Sequence, residues 1–544
     1  MSRIRKSIVI YGLRQKNDNT LLYICAQNHK MNFYSYKHYI ILFSILAFFF
    51  PKKSVQAQSI FEATKLHEIH IAIPTAQWFD TLQQYYDEGL NGSDKKVLPA
   101  RIVIDGHKLA HDIAIRFKGQ YSNYGFPGKK KPFRLHFGKF NSDQDYEGIK
   151  KINLHNLAGD PSFLREFVAY DFLNTIGLPA SRTAFTRLYI NNTYFGCYLI
   201  VEEPEDKVFL NRHFQNDKGN LFDAKDNTEL KWVNNQAASY PELGLQTKEK
   251  NDSWDALIHW LDLFNNYHAF DFQQQFSASF HTSSYLKTLS ADVLMDNWDS
   301  YAANSRNFFL YDNSPNHQIH WIPWDYNLSF WYKNLSPFPK KSDGSYRPLI
   351  ARIVNTPYLK NAYFKTLCQL LDQDAAVYPI AAKTTAAFNL IKEAVIADSF
   401  KFYSNDDFFR NRDNEVIVKM LRSNVLKEVA LPGVVPYFEQ RRLRLRKELL
   451  QYGCDCDQIN KKKGTSYTQV YPNPVTSVLH IYTEDPITSI DISIYNAIGL
   501  TMRHTSLVLS QGKGTVDIQT LPAGIYFITL HTDTAPETIR FIKQ

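Results

Sequence analysis

An α+β chain with an all-β tail is the fold class that the hydropathy pattern predicts, and three observations carry it. Residues 60–240 alternate apolar and polar side chains with the period of half-buried strands. From about Ser253 to Gly453 the apolar residues recur at helical spacing instead. After residue 468 the period of two returns in five short segments divided by turn residues. With 544 residues, 44% apolar and 15% aromatic, the chain can bury a large core and form more than one domain. A sheet-rich N-terminal lobe, a helix-rich C-terminal lobe and a small β-sandwich are therefore expected, with a binding cleft between the lobes.

Residues 1–57 read as a leader. They carry nine Lys/Arg against the single acid Asp18, and Lys37 precedes an apolar run from Ile40 to Phe50. Val55 and Ala57 then supply the small residues of a cleavage point after Ala57, the layout of a secretory signal peptide. The run is short for a membrane span, so no transmembrane segment is expected in the mature chain; an uncleaved anchor is the alternative. Residues 1–30 lack this logic and Met31 is the expected true start. The formal net charge of +8 belongs to this leader, because setting it aside leaves 53 basic and 53 acidic residues. A nucleic-acid partner is not implied by a neutral remainder.

Within 60–453 the strand-like stretches are LHEIHIAI, ARIVIDG, HDIAIRFKG, FRLHFG, KKINLHN, AFTRLYINN and TYFGCYLIVEE. One helix is expected among them, PSFLREFVAYDFLNTIGLPAS, with Gly177 and Pro179 as its stop signals. Export implies an oxidising milieu, yet the mature chain holds only Cys197, Cys368, Cys454 and Cys456, so a disulfide framework is not expected to hold it together. The C-x-C of Cys454 and Cys456 is too tight for a zinc knuckle and awkward as a mutual disulfide. The polar stretch 454–467 reads as a linker, and 468–544 as the sandwich.

Two acidic islands interrupt the helical region: LMDNWDSYAANSRNFFLY around Asp299, and HWIPWDYNLSFW around Asp325. Carboxylates among aromatic residues are costly to bury unless they are paired or hold a cation. An Asp, an Asn a few residues on, and a second Asp beyond an aromatic strand is also the ligand set by which protein kinases hold Mg²⁺ on a nucleotide. Asp296 and Asp312 have no such role and read as capping or surface residues.

Several stretches match one family in order. IRFKGQYSNYG, KKKPFRLHF, DPSFLREFVAYDFLNTIGLPAS, TYFGCYLIVEE, NWDSYAANSRNFFLY and WIPWDYNLSFW resemble the CotH kinase family, the atypical kinases related to spore coat protein H, over roughly residues 65–450. The resemblance implies a divergent protein-kinase-like two-lobe fold that binds ATP with Mg²⁺ or Mn²⁺ and phosphorylates exported protein on serine. It implies Lys131, with Lys130 second, as the phosphate-contacting lysine, and Glu202 as the strand-ending acid that pairs with it or with the metal. Arg116 and Lys118 alternate onto one face of their strand and are expected to line the phosphate pocket. Asp299 is implied as catalytic base and Asp325 as direct metal ligand. The metal-side amide is open between Asn304, at kinase-loop spacing, and Asn307, which abuts the aromatic strand. Arg165 matches a helix-borne arginine of the family, with a surface salt bridge as its ordinary alternative.

At the other end, VYPNPVTSVLHI, ISIYNAIG and LPAGIYFITL followed by TIRFIKQ resemble the type A sorting domain of the type IX secretion system. That resemblance implies an address read by the outer-membrane translocon, hence a secreted or cell-surface protein. Rival functions have less support. There is no GxxxxGK[ST], no G-x-G-x-x-G, no HExxH and no G-x-S-x-G. Asp299 and Asp325 as the acid/base pair of a glycoside hydrolase, and a non-catalytic kinase-like surface protein, stay as alternatives.

Overall fold

The computed structural model describes residues 59–90, 95–247, 253–267, 272–314, 316–422, 425–461, 468–483, 488–531 and 537–544. The leader, with Met31 and Ala57, and residues 462–467 of the expected linker lie outside them.

All seven predicted strands form: β1 (His67–Ala72), β2 (Leu98–Ile104), β3 (Ile113–Phe117), β4 (Phe133–His136), β5 (Lys151–His155), β6 (Thr183–Ile190) and β7 (Thr193–Glu202). They close on themselves. The order β1-β6-β7-β5-β4-β3-β2 returns to β1 through the Ile69–Ile104 register, giving a seven-stranded barrel that is antiparallel except between β1 and β6. Closure removes the exposed edges that an open sheet would leave. Alternation along β7 explains how one strand serves two cores: Tyr198 and Ile200 face the barrel interior with Ile69, Ile102, Ile115 and Leu154, while Leu199 and Val201 face the helices.

The helical stop at Gly177 is observed, with Gly177 at φ +78° after helix α2 (Arg165–Thr175). A second helix, α1 (Trp78–Leu90), stands where only strands were expected; in its sequence WFDTLQQYYDEGL only Leu82 is fully buried. Helix α2 is buried on nearly every side, Glu166 included, because the barrel covers one flank and the C-terminal helices the other.

The two acidic islands flank one β-hairpin. Strands Phe308–Asn313 and Gln318–Pro323 pair with Phe308 opposite Pro323, within a four-stranded sheet completed by Asn220–Ala224 and Leu243–Leu245. That register sets Asn307 and Trp324 side by side, so Asp299 and Asp325 are delivered to the same end of the hairpin. Helices dominate the rest, among them α3 (Thr282–Leu294), α4 (Pro357–Gln369) and α5 (Val434–Leu450), together with an antiparallel pair of strands, Val416–Arg422 and Val425–Leu431, that was not foreseen. Within the stretch expected as a linker, Cys456–Lys461 forms a short helix, α6, and Cys456 is disulfide-bonded to Cys368. A single cross-link therefore ties the end of the helical region; it is no framework, and it pairs Cys456 with Cys368 rather than with Cys454.

The C-terminal segment is a sandwich of a three-stranded sheet (Thr468–Tyr471, Val478–Thr483, Lys513–Asp517) and a four-stranded sheet (Ser489–Asn496, Thr501–Val508, Gly524–His531, Glu537–Lys543). Leu479, Ile481, Ile492, Ile494, Ile528 and Phe541 form its core.

Candidate active site

Strand register builds one wall of the site. Phe117 of β3 pairs with Phe133 of β4, which pairs with Leu154 of β5. The next residues along β3 and β5 are Lys118 and His155, so both emerge in one row at the same barrel end. The Lys118 Nζ lies 2.8 Å from His155 Nε2, and His155 Nδ1 lies 2.9 Å from both carboxylate oxygens of Glu166. Glu166 comes from the first turn of α2. Tyr170, four residues on and therefore on the same helix face, accepts the backbone N–H of Asp325 at 3.0 Å.

Asp325 completes the group. The ligand atoms of His155, Glu166 and Asp325 all lie within 4.8 Å of one another. Asp325 Oδ1 is shielded from solvent and has no hydrogen-bond partner among the described residues. A shielded carboxylate oxygen with nothing to accept from is costly, and a cation would satisfy it. Asp325 also sits at φ +56°, a conformation unfavourable for a side-chain-bearing residue and found disproportionately at functional sites.

Burial shapes the titration of the group. It lowers the Lys118 ammonium to about 8 and raises the Glu166 carboxyl to about 8, against the attraction of each for the other. Burial, aided by the neighbouring Lys118 charge, drives His155 down to about 3. A neutral imidazole can donate through Nδ1 to Glu166 and accept at Nε2 from Lys118, which is the tautomer these neighbours require. Asp325 is pushed up to about 6, first by burial and then by the Glu166 charge.

Asp299 stands at the other margin. Asn304 Nδ2 donates to its Oδ1 at 2.7 Å, and Asn307 Nδ2 donates to its Oδ2 at 3.0 Å and to its backbone carbonyl at 2.9 Å. Both amides that competed for one role therefore hold the same carboxylate. Arg306 adds its charge at 3.7 Å. Burial nevertheless outweighs these donors and raises Asp299 above the ordinary carboxylate range.

Other expected site residues are engaged elsewhere. Lys130 is fully buried in an ion pair with Asp398, between the rings of Phe163 and Tyr198. Lys131 is buried and donates to the carbonyl oxygens of Asn123, at 2.6 Å, and Phe126. The turn holding this lysine run folds inward, so neither is the solvated edge that a KKK sequence normally makes. Glu202 accepts from Arg182 and Arg212 through its two carboxylate oxygens. Its neighbour Glu203, bonded by Arg134 at 3.1 Å and Asn153 at 2.9 Å, is the acid whose charge acts most strongly on Lys118, ahead of Asp325 and Glu166. Arg116 and Lys118 do share a wall, lining a cavity of about 290 Å³ with Tyr86 of α1 and Lys95 and Lys96 beyond it. Arg165 is not on the surface; it is buried against Asp160 at 2.6 Å, Asn411 and the Pro432 carbonyl. Asp296 and Asp312 are likewise buried, Asp296 accepting backbone N–H groups of Lys333, Asn334 and Leu335.

His155, Glu166 and Tyr170 were missed by sequence reasoning. The usable signal was an acid inside an otherwise apolar helical period, a position that burial makes expensive.

The sequence model of the family described as CotH kinase protein matches residues 115–423, more than half of the chain. The chain belongs to the CotH kinase protein family. It is similar to the inner spore coat protein H of Bacillus subtilis (strain 168), at 22% identity over 346 residues that cover 62% of this chain and 91% of that protein. Two proteins of Rhizopus delemar, invasin CotH2 and invasin CotH3, are similar at 24% and 22% identity, and about a third of their length is spanned. A secretion system C-terminal sorting domain matches residues 469–544, which makes this CotH-like protein a secreted or surface protein addressed to type IX secretion machinery. No helix among the described residues is long and apolar enough to cross a membrane.

Proposed function

We propose that the chain is a metal-dependent phosphotransferase that moves the γ-phosphate of ATP to a hydroxyl side chain, serine foremost, of exported proteins. In this reading the barrel acts as the N-terminal lobe of a divergent kinase and the helices as its C-terminal lobe. The observation that carries it is the convergence of Lys118, Glu166 and the partnerless oxygen of Asp325 at the barrel end. Lys118 takes the role expected of Lys131, and with Arg116 it offsets the charge of the polyphosphate in the adjoining cavity. Asp325 and Glu166 are the carboxylates that would hold Mg²⁺ or Mn²⁺, with an amide from Asn307 or Asn304 in reserve; the ion supplies neutralisation of phosphate charge.

Asp299 is the base. The acceptor hydroxyl oxygen forms a bond to the γ-phosphorus as the bond from that phosphorus to the β-phosphate oxygen breaks, and the hydroxyl proton passes to Asp299. Its raised proton affinity favours that acceptance, while Asn304 and Asn307 orient the carboxylate.

A second reading, a surface protein that binds a partner without transfer, draws on the name invasin borne by two relatives and on the full occupancy of the Asp299 carboxylate by its own neighbours. Incubation with labelled ATP, Mn²⁺ or Mg²⁺ and a generic acceptor separates the two. Transfer by wild type but not by Asp299→Asn or Asp325→Ala supports the enzyme. Equal transfer by all three sinks this site, and absence of both transfer and nucleotide binding favours the second reading.

A further inference from the structure

Away from the barrel, three cysteines share one buried cluster. Cys368 of α4 is disulfide-bonded to Cys456, 88 positions later, at the start of α6. The Cys454 Sγ lies 3.7 Å from the Cys368 Sγ, and the three sulfur atoms all lie within 4.8 Å of one another. Exposure is 0% for Cys368 and 3% for each of the other two, so no external thiol reaches them in the folded protein.

We propose that this cluster is a thiol–disulfide exchange site in which Cys454 is the alternative partner of Cys368. The sulfur of Cys454, as thiolate, attacks the Sγ of Cys368; the Cys368–Cys456 bond breaks, and Cys456 departs as a thiolate that takes up the proton Cys454 gave away. One disulfide is lost and one gained, so neither oxidant nor reductant is consumed. Burial pushes the Cys454 thiol up to about 11, which keeps the exchange slow and the resting linkage defined.

The exchange has a structural consequence. With Cys456 bonded, α6 is pinned to α4, and α6 is the last described element before the sorting domain. Transfer of the bond to Cys454 moves the pin two residues back and leaves α6 held by contacts such as the Arg446–Asp457 ion pair at 2.6 Å. The site thus sets how firmly the root of the sorting domain is attached.

Disulfide mapping by mass spectrometry tests this independently of any enzymatic activity. Full-length wild type, Cys454→Ser and Cys456→Ser are refolded from the reduced, unfolded state in a glutathione redox buffer, so that the bonds form before the cluster is buried, then denatured in alkylating reagent without reductant. The expected result is a Cys368–Cys454 bond in Cys456→Ser, a Cys368–Cys456 bond in Cys454→Ser, and both linkages in wild type after a day at mildly alkaline pH. Alkylation of both Cys368 and Cys454 in a folded Cys456→Ser overturns the proposal, as does the Cys368–Cys456 linkage alone in the aged wild type. Should Cys456→Ser fail to fold, the wild-type map decides by itself.

Discussion

Lys118 is joined to Glu166 through the His155 ring, at 2.8 Å on one side and 2.9 Å on the other. An ammonium and a carboxylate that would otherwise need direct contact are thereby linked across the width of an imidazole. The hydrogen-bond count is the same whether the outer pair is charged or neutral, since two protons can shift along the chain together.

His155→Ala removes both bonds and leaves Glu166 and Lys118 buried without their bridge. Hydrogen bonds to charged groups contribute about 1.5–3 kcal/mol, so ATP affinity is expected to fall roughly tenfold or more and the melting temperature to drop. Calorimetric titration and thermal unfolding read the two effects. His155→Asn, which can restore one bond, is expected to lie between; equality with wild type would remove the bridge from the site.

Lys130 and Asp398 form an ion pair with no solvent exposure, and Asp398 also accepts the Cys197 backbone N–H at 3.1 Å. Removing one partner strands the other, at a cost of about 3–5 kcal/mol. Asp398→Ala is therefore expected to lower unfolding free energy by that order in urea titration. Gly196→Ala should do comparable damage, since its φ is +118° and an added Cβ would fall 2.1 Å from an Asp398 oxygen. A loss below about 1 kcal/mol for either would contradict the assignment of Lys130 to the fold.

Asp325 titrates at about 6 in the folded chain, above the value of about 3.9 for an unperturbed aspartate. The folded state thus binds this proton more tightly, which adds stability below about pH 4 that is lost as pH rises through 6. Asp325→Asn should flatten this dependence and stabilise the metal-free protein at neutral pH by up to about 3 kcal/mol. On the proposed reading, metal and proton compete for both carboxylates, so Mn²⁺ affinity should weaken about tenfold per pH unit from 8 down to 6, where Glu166 takes its proton, and more steeply below 6, where Asp325 does. Chemical denaturation across pH, with and without Mn²⁺, measures both slopes.

Asn304 and Asn307 donate to opposite oxygens of Asp299. Removing either donor destabilises the charged carboxylate, so the acidic limb of the pH–rate profile should move upward in Asn304→Ala and in Asn307→Ala. On the proposed role of Asp299 as base both amides act through one group, so the double variant should lose no more rate than Asp299→Asn. Losses that multiply beyond Asp299→Asn would give one amide a separate task.

Strands were legible because period-two alternation is local, and every barrel strand was marked by it. Closure was not, since the Ile69–Ile104 pairing is a property of the whole sheet. Helix α1 escaped notice because strand-like stretches dominate its surroundings, although Trp78, Phe79, Leu82, Tyr85 and Tyr86 form an apolar stripe at helical spacing that packs on the barrel core. At the site, Asp299 and Asp325 stood out as acids among aromatic residues, whereas Lys131 was set above Lys118 by the family resemblance alone. Both are lysines beside predicted strands, and only the register of β3, β4 and β5 puts one beside His155 and folds the other under Asn123. The Cys368–Cys456 bond was hidden for the same reason, its partners being 88 residues apart.

Titration of Mn²⁺–ATP into Lys118→Met and Lys131→Met is the direct test of the proposed nucleotide site and of the lysine assigned to it. Lys118→Met should keep its fold and lose about a hundredfold in affinity, while Lys131→Met should melt earlier yet bind within about twofold of wild type. Retained binding in Lys118→Met with lost binding in a folded Lys131→Met would return the site to the lysine run and contradict its construction at the barrel end.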